Sequence, residues 1–332
     1  MNPLVSVVVP AYNGASFVRE TLESVLSQSW SPFGVIVCDD GSTDGTPAIL
    51  ESFGARIRVV RQANSGVAAA RNRAAAEANG ELLAFLDHDD VWEPSMLSTL
   101  VPRLASDGEL GLVYADAWII DARGRLYGRR GRYLHYAEGW VFDRLLRGNF
   151  IPVETTLMRT RLFRELGGCD PGLRYLEDYD LCLRVARRAR IGFHPEPLAR
   201  YRIHDHNLSH ELEPMLVEWL RLIDGMRAPR SDRPELTSEQ RAILDEESDR
   251  LCTDLAWRAV RRRDLAGIDA WLARAGPRSP RGKLWRVRGM RLALAALPRP
   301  AGELLVKLLP RRKLYGLQVP ELVAPPQPSQ HE

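Results

Sequence analysis

Several widespread signatures are missing from this 332-residue chain. It has no GxGxxG, no GxxxxGK[ST] and no GxSxG. Those absences argue against a dinucleotide oxidoreductase, a P-loop NTPase and an α/β-hydrolase. Its four cysteines, Cys38, Cys169, Cys182 and Cys252, include no CxxC pair. Neither a zinc knuckle nor a disulfide framework is expected, and the thiols read as small buried hydrophobes in a reducing compartment. No stretch approaches the roughly 18 apolar residues of a spanning helix. The opening MNPLVSVVVPAYN lacks a basic segment and reads as a strand rather than a signal peptide. Lysine is almost absent: Lys283, Lys307 and Lys313 are the only three among 46 basic residues. A net charge of +3 is too small for a dedicated nucleic-acid binder.

What is present describes a soluble protein with a substantial core. Hydrophobic residues make up 45% and charged residues 27%, which excludes wholesale disorder. The charge is divided along the chain. Residues 1–100 hold 6 arginines against 12 acids, whereas residues 281–313 hold 10 basic residues against Glu303 alone. An acidic first part and a basic tail suggest two tasks.

The first 120 residues alternate between two periodicities. Val5–Val9 is a β-branched run ending at Pro10. Phe17–Ser27 follows with a helical apolar stripe and Ser16 as its expected N-cap. Val35–Cys38 is a second strand, stopped by DDGSTDG, and Thr46–Phe53 a second helix. Ile57–Val60, the alanine-rich helix Val67–Ala78 opened by Asn64-Ser65-Gly66, and Leu82–Leu86 complete the series. Alternation at this spacing means βαβ units and a parallel sheet, whose ligands bind at the carboxyl ends of the strands. The loops that matter are therefore Pro10–Gly14, Asp39–Gly45 and Asp87–Asp90.

Two of those loops are crowded with carboxylates, which repel one another unless a cation or a bound partner offsets them. Asp87-His88-Asp89-Asp90 follows a buried strand, and acids flanking one residue can hold Mg²⁺ or Mn²⁺ against a diphosphate. A capping turn before the helix near Pro94 would use the same residues. Asp39 and Asp40 close the second strand, where a carboxylate can accept the imide N–H of uracil or thymine; a plain turn is the alternative. Arg71, close to a helix start, can reach a phosphate or base.

Further along, Glu177-Asp178 precedes the apolar positions Tyr179, Leu181, Cys182, Val185 and Ala186. The pair thus falls at a helix N-terminus, where free N–H groups favour ionised carboxylate. Adjacent helical side chains diverge by about 100°, so one of the two is expected to face a site. In RYRIHDHNLSH, residues 200–210, Arg202 can meet phosphate and His204 a metal or phosphate, while His206 and His210 read as loop histidines.

VSVVVPAYNG, VIVCDDGSTDGT, NSGVAAARNRA, GELLAFLDHDD and LGGCDPGLRYLEDYDLCLR, in this order, resemble the family 2 glycosyltransferases. The resemblance covers residues 3–210. It implies a GT-A fold, α/β with a mostly parallel central sheet, and inverting transfer from a nucleotide sugar. By the same resemblance Pro10, Ala11, Tyr12 and Asn13 pack around the nucleotide and Asp39 meets its base. Asp87 and Asp89 carry a divalent metal, Mn²⁺ or Mg²⁺, with the diphosphate, and His204 joins the metal. Asp40, Gly66, Arg71 and His88 complete the nucleotide-sugar set. Asp178 is the expected base, with Glu177 its rival. Cys169 stands where an aromatic is common in the family, and His88 where a smaller residue is usual.

The expected organisation is a glycosyltransferase domain over 1–210, a helical extension over 211–280, a basic amphipathic tail over 281–318 and a disordered end over 319–332. The expected partners are a nucleotide-sugar donor, UDP- or dTDP-linked, and a glycan or lipid-linked acceptor of cell-surface polysaccharide synthesis. The tail suits an anionic membrane surface, which would place a cytoplasmic enzyme on the inner face of the membrane. No nucleic-acid partner is expected. A nucleotide-sugar-binding domain without turnover, a sugar nucleotidyltransferase and a membrane adaptor are the alternatives. Against the first, every expected acid is present. Against the second, Pro10–Gly14 is neither glycine-rich nor basic. The third rests on the tail alone.

Overall fold

The computed structural model describes residues 2–132, 134–229, 234–275 and 281–296. The expectations for 297–332, which include the end of the basic stretch and the terminal APPQPSQHE, lie outside the described residues. The chain forms two compact units. One comprises Met1–Leu145 with Asn149–His210, and the other runs from Glu211 onward and takes in Leu146–Gly148.

The first unit opens with the expected alternation: β1 (Val5–Ala11), α1 (Val18–Leu26), β2 (Phe33–Asp39), α2 (Thr46–Ser52), β3 (Arg58–Arg61), α3 (Val67–Ala76) and β4 (Leu82–Phe85). It continues with β5 (Val91–Trp92), α4 (Met96–Ser106), β6 (Leu110–Asp121), β7 (Leu126–Arg129), α5 (Phe142–Leu145), β8 (Leu157–Arg159), α6 (Thr160–Glu165), α7 (Glu177–Ala186) and β9 (Arg190–Ile203). These strands make one sheet in the order β3-β2-β1-β4-β8-β6-β9-β5, with β7 on β6.

The pattern read from the sequence holds across β3-β2-β1-β4, where every ladder is parallel. Beyond β4 the sheet is mixed. β8 enters antiparallel to both β4 and β6, and β9 then runs parallel to β6 over a long irregular ladder. All seven residues of β1 are buried, as a strand covered on both faces requires. That strand runs two residues past the expected stop at Val9. Pro10 lies past the Val8–Phe85 pair that ends the β4 ladder, while its pairing with Cys38 of β2 continues.

The start of α1 differs from expectation. Its N-cap is Phe17, without any side-chain cap, and Ser16 does not serve. The carbonyl of Gly14 instead takes the N–H groups of Phe17 and Val18 at 3.0 and 2.9 Å. The turn at Asn13, with φ of 49°, brings that carbonyl under the helix.

Among the described residues the second unit holds α8 (Leu212–Arg227), α9 (Ser238–Arg262), α10 (Leu265–Arg274) and α11 (Arg281–Ala296). Thr237 and Gln240 form a reciprocal capping box at the start of α9, and Arg263 ends it in the left-handed conformation. Ala256, Ala259, Val260, Ile268, Val287 and Leu294 are its shared core. All four cysteines are buried and free. Among the described residues no helix is long and apolar enough to cross a membrane.

Candidate active site

The carboxyl ends of β1 and β2 form one rim. Asn13 N–H donates to Ser42 Oγ at 3.0 Å, Thr43 N–H to Asn13 Oδ1 at 2.8 Å, and Ala15 N–H to Asp44 Oδ2 at 3.1 Å. The two loops are thereby tied together, with Tyr12 exposed on their outer side. Pro10 and Ala11 are buried strand residues behind them.

Asp39 and Asp40 part company. Asp39 Oδ1 accepts from Ser42 N–H at 3.0 Å, and its Oδ2 has Arg61 Nε at 3.6 Å. Asp40 is spent inside the protein. Its Oδ1 accepts from Gln62 Nε2 at 2.7 Å and Ser65 N–H at 2.9 Å, and its Oδ2 from Gly66 N–H at 2.9 Å. Asp40 and Gly66 therefore join the β2 loop to the start of α3. Gly66 has φ of 89°, a conformation that favours glycine.

The loop after β4 carries the second group. Arg71, on α3, is buried and places one guanidinium between two acids. Its Nη2 donates to Asp87 Oδ1 at 2.7 Å and its Nη1 to Glu177 Oε1. In place of the phosphate or base expected of Arg71, both of its terminal nitrogens are taken by carboxylates. Burial works against its charge, but Asp87 and Glu177 outweigh burial and hold it ionised. Arg71 Nε and Glu177 Oε2 are buried without a partner among the described residues, and Arg71, Cys169 and Asp178 line a void of about 10 Å³. That is room for about one water.

Glu177 and Asp178 open α7, as expected. Glu177 points inward and is 4% exposed, whereas Asp178 is half-buried. Asp178 Oδ1 accepts from Tyr179 N–H at 2.7 Å, and among the described residues Oδ2 has only Asn149 Nδ2, at 3.5 Å. Burial pushes Glu177 up to about 8, against the pull of Arg71. Burial likewise raises Asp178 above the ordinary aspartate value, with Arg71 again opposing.

Asp89 meets the end of β9. His204 Nε2 lies 2.9 Å from Asp89 Oδ2. Burial alone would raise Asp89, but the His204 hydrogen bond and the neighbouring imidazoles His88 and His204 bring it below the ordinary value. Phe17 stacks on His204, ring centroids 4.9 Å apart, and the Arg202 guanidinium covers the same phenyl ring at 4.8 Å. Arg202 is also absorbed internally, donating to Asp89 O at 2.7 Å and Glu20 Oε2 at 2.7 Å. Asp90 accepts from Arg202 N–H and is held well above its ordinary value by burial and by Asp89. His88 packs over Gly14, so close that a Cβ on that glycine would stand 2.2 Å from His88 Cδ2.

Asp87, Asp89 and His204, the expected metal set, are thus only partly assembled. Asp89 and His204 touch, Asp87 is held by Arg71, and among the described residues no three His, Cys, Asp or Glu side chains converge as a metal group. Phe17 and Asn149 escaped the sequence reading. Phe17 looked like one more apolar position of α1, and Asn149 is an isolated polar residue in RGNFIP with no motif around it.

Residues 6–167 match the model of the family described as glycosyl transferase family 2. The putative teichuronic acid biosynthesis glycosyltransferase TuaG of Bacillus subtilis is 31% identical over 218 residues, 62% of this chain and 82% of the relative. The chain belongs to glycosyl transferase family 2. The uncharacterized glycosyltransferase RP339 of Rickettsia prowazekii is 30% identical over 258 residues, 77% of this chain and 79% of the relative. Among solved structures, TarS 1–349 of S. aureus with UDP-GlcNAc superposes with a TM-score of 0.62 at 18% identity, over 91% of this chain and 88% of that one. Mannosyltransferase PcManGT of Pyrobaculum calidifontis, with GDP-Man and Mn²⁺, gives 0.58 at 20% identity, over 92% and 85%. At such identities these likenesses speak for the fold, which is the GT-A fold of a glycosyltransferase with a helical C-terminal part.

Proposed function

We propose that this glycosyltransferase moves a sugar, with inversion, from a UDP- or dTDP-linked donor to a hydroxyl of a glycan or lipid-linked acceptor in cell-surface polysaccharide synthesis. The carrying observation is the sharing of Arg71 by Asp87 and Glu177. One guanidinium brings the loop after β4, suited to a diphosphate, beside the start of α7, suited to an acceptor. In-line displacement needs those two functions on opposite sides of one anomeric carbon. The polymer context draws on relatives such as TuaG.

Asp178 is the residue proposed to take the proton of the attacking hydroxyl. It is half-buried, its Oδ2 is nearly unengaged, and a raised pKa brings a carboxylate closer to the range useful for a base. Glu177 holds Arg71 and orients the helix start. Asp39 accepts the imide N–H of the pyrimidine, within the rim formed by Pro10–Asn13 and the DDGSTDG loop.

The donor set fits a divalent cation, Mn²⁺ or Mg²⁺. Asp89 and His204 offer a carboxylate and an imidazole in contact, Asp87 is a second acid in the same loop, and such ions complete their shell with phosphate oxygens and water. When bound there, the cation would offset charge on the departing diphosphate.

Calorimetric titration with UDP, dTDP and GDP, with and without MnCl₂, tests this reading. UDP or dTDP should bind more tightly than GDP, and tightly only with metal. The GDP-Man complex of PcManGT makes GDP the informative competitor, and tighter GDP binding would reverse the donor assignment. An anionic membrane partner for the basic 281–313 stretch, of which Arg281–Ala296 is described, is proposed on charge alone, and co-sedimentation with phosphatidylglycerol vesicles tests it.

A further inference from the structure

A second recess opens at the amino edge of the sheet. β6 and β9 begin there and β8 ends there, so it lies on the edge opposite the loops of the donor site. The recess has a volume of about 360 Å³, within the range of small-molecule sites. Leu110, Gly111, Leu162 and Ala189 are among its lining residues. Gly111 keeps the floor closed, since a Cβ there would stand 2.5 Å from Leu162 Cδ2 and 2.6 Å from Ala189 Cβ.

Trp140 lines the same recess and is 67% exposed, the most exposed of the large hydrophobic side chains among the described residues. Its chain neighbour Gly139 is pinned to Ile191 by two hydrogen bonds of 2.7 and 2.9 Å. The indole therefore keeps its face in water while its backbone is fixed to β9. Charges of both signs line the recess. Arg161 pairs with Glu165 at 2.6 Å and Glu109 with Arg190 at 3.0 Å, while Arg188 is exposed and forms no ion pair with a described residue.

We infer that this recess binds a glycan chain, as a remote site for a polymeric acceptor. The inference rests on the proposed glycan acceptor and names its class. A pyranose ring presents an apolar C–H face and a girdle of hydroxyls. An exposed indole suits the first, and planar, fork-shaped guanidinium and carboxylate groups suit the second. A bilayer would want a wider apolar face and cations without interspersed acids. α7 joins the two places: Glu177 and Asp178 start it at the donor edge, and Arg188 follows its end in the recess. A ten-residue helix is about 15 Å long, so a chain seated on Trp140 reaches Asp178 only after several sugar units.

The test is affinity electrophoresis of the full chain through gels containing chondroitin, polygalacturonate, dextran or mannan, beside calorimetry with UDP and MnCl₂. At least one polymer should slow the wild type. Trp140→Ala should weaken that binding about tenfold and Arg188→Ala by a smaller factor, with UDP affinity unchanged in both. Migration unaffected by every polymer, or equal slowing of Trp140→Ala, overturns the inference. So does a dimer in sedimentation that Trp140→Ala abolishes in place of a glycan effect, which would assign the recess to a second copy. Failure of the wild type to bind any nucleotide would strike the donor reading alone, since the gels judge the recess separately.

Discussion

Phe17 and His204 lie face to face, their ring centroids 4.9 Å apart and their planes inclined by 29°. Residues near opposite ends of the catalytic unit are thereby joined, and His204 is held over Asp89. An aromatic pair of this kind contributes about 0.5–1.5 kcal/mol. Phe17→Leu keeps the apolar volume and removes the stack. It should weaken metal-dependent UDP binding several-fold while metal-free binding stays unchanged. Equal weakening with and without MnCl₂ would mean that Phe17 supports the rim and not the His204 position.

Asp178→Asn should preserve donor affinity and lower transfer by ~10²–10⁴, the scale of a positioned acid–base group. Asparagine keeps the shape and accepts hydrogen bonds but takes no proton at neutral pH. The matched Glu177→Gln retains one oxygen for Arg71 and should reduce turnover less. Single-turnover assays at saturating donor decide between them. Near-normal turnover in Asp178→Asn with loss in Glu177→Gln would move the proton-accepting role to Glu177.

Arg71→Met should destabilise the protein by about 3–5 kcal/mol, because it leaves the buried Glu177 and the partly exposed Asp87 without their shared guanidinium. Urea unfolding of the full chain, followed by far-ultraviolet circular dichroism, measures this. Arg71→Lys should be intermediate, since a single ammonium cannot reproduce two forked contacts. A loss below about 1 kcal/mol in Arg71→Met, the scale of an exposed pair, would show that the two ion pairs are screened by water.

The acid limb of transfer should lie above the range of an ordinary aspartate near ~3.9, because burial raises Asp178 and activity requires its ionised form. Stability should run the other way. Glu177, raised to about 8, binds its proton more tightly folded than unfolded. Its contribution is complete below the unfolded value and is lost as pH climbs through the folded one, so the ligand-free protein should grow less stable between about pH 5 and 8. Asp90, also raised, acts in the same sense, and His194, lowered by burial, in the opposite one. Thermal unfolding across that window, with Glu177→Gln losing part of the slope, is the check.

The strands that carry Asp39 and Asp87 were legible because each is a short apolar run ending in turn formers, and local pattern alone sets such elements. β6 and β9 carry no such alternation over their buried lengths, and the antiparallel entry of β8 depends on pairing between distant segments. The fates of individual polar groups were hidden for a related reason. Nothing in DDGSTDG tells that Asp40 turns toward Ser65 and Gly66 while Asp39 keeps an oxygen nearly unengaged. Arg71 looked like a ligand for phosphate because its partner Glu177 is 106 residues away. Sequence spacing reports what one element presents, whereas the sharing of a charge belongs to the packed unit.

The contact of His88 with Gly14 has an evolutionary consequence. The imidazole occupies the space that any side chain at position 14 would need. The two positions therefore form a matched pair in the loops after β1 and β4, and residue 14 is not free to enlarge while residue 88 carries its ring. A chain lineage that enlarges residue 14 must first shrink residue 88, and one that acquires a ring at 88 must already have glycine at 14. The order of those two replacements is fixed by volume, so a library randomised at both positions should return them as linked choices.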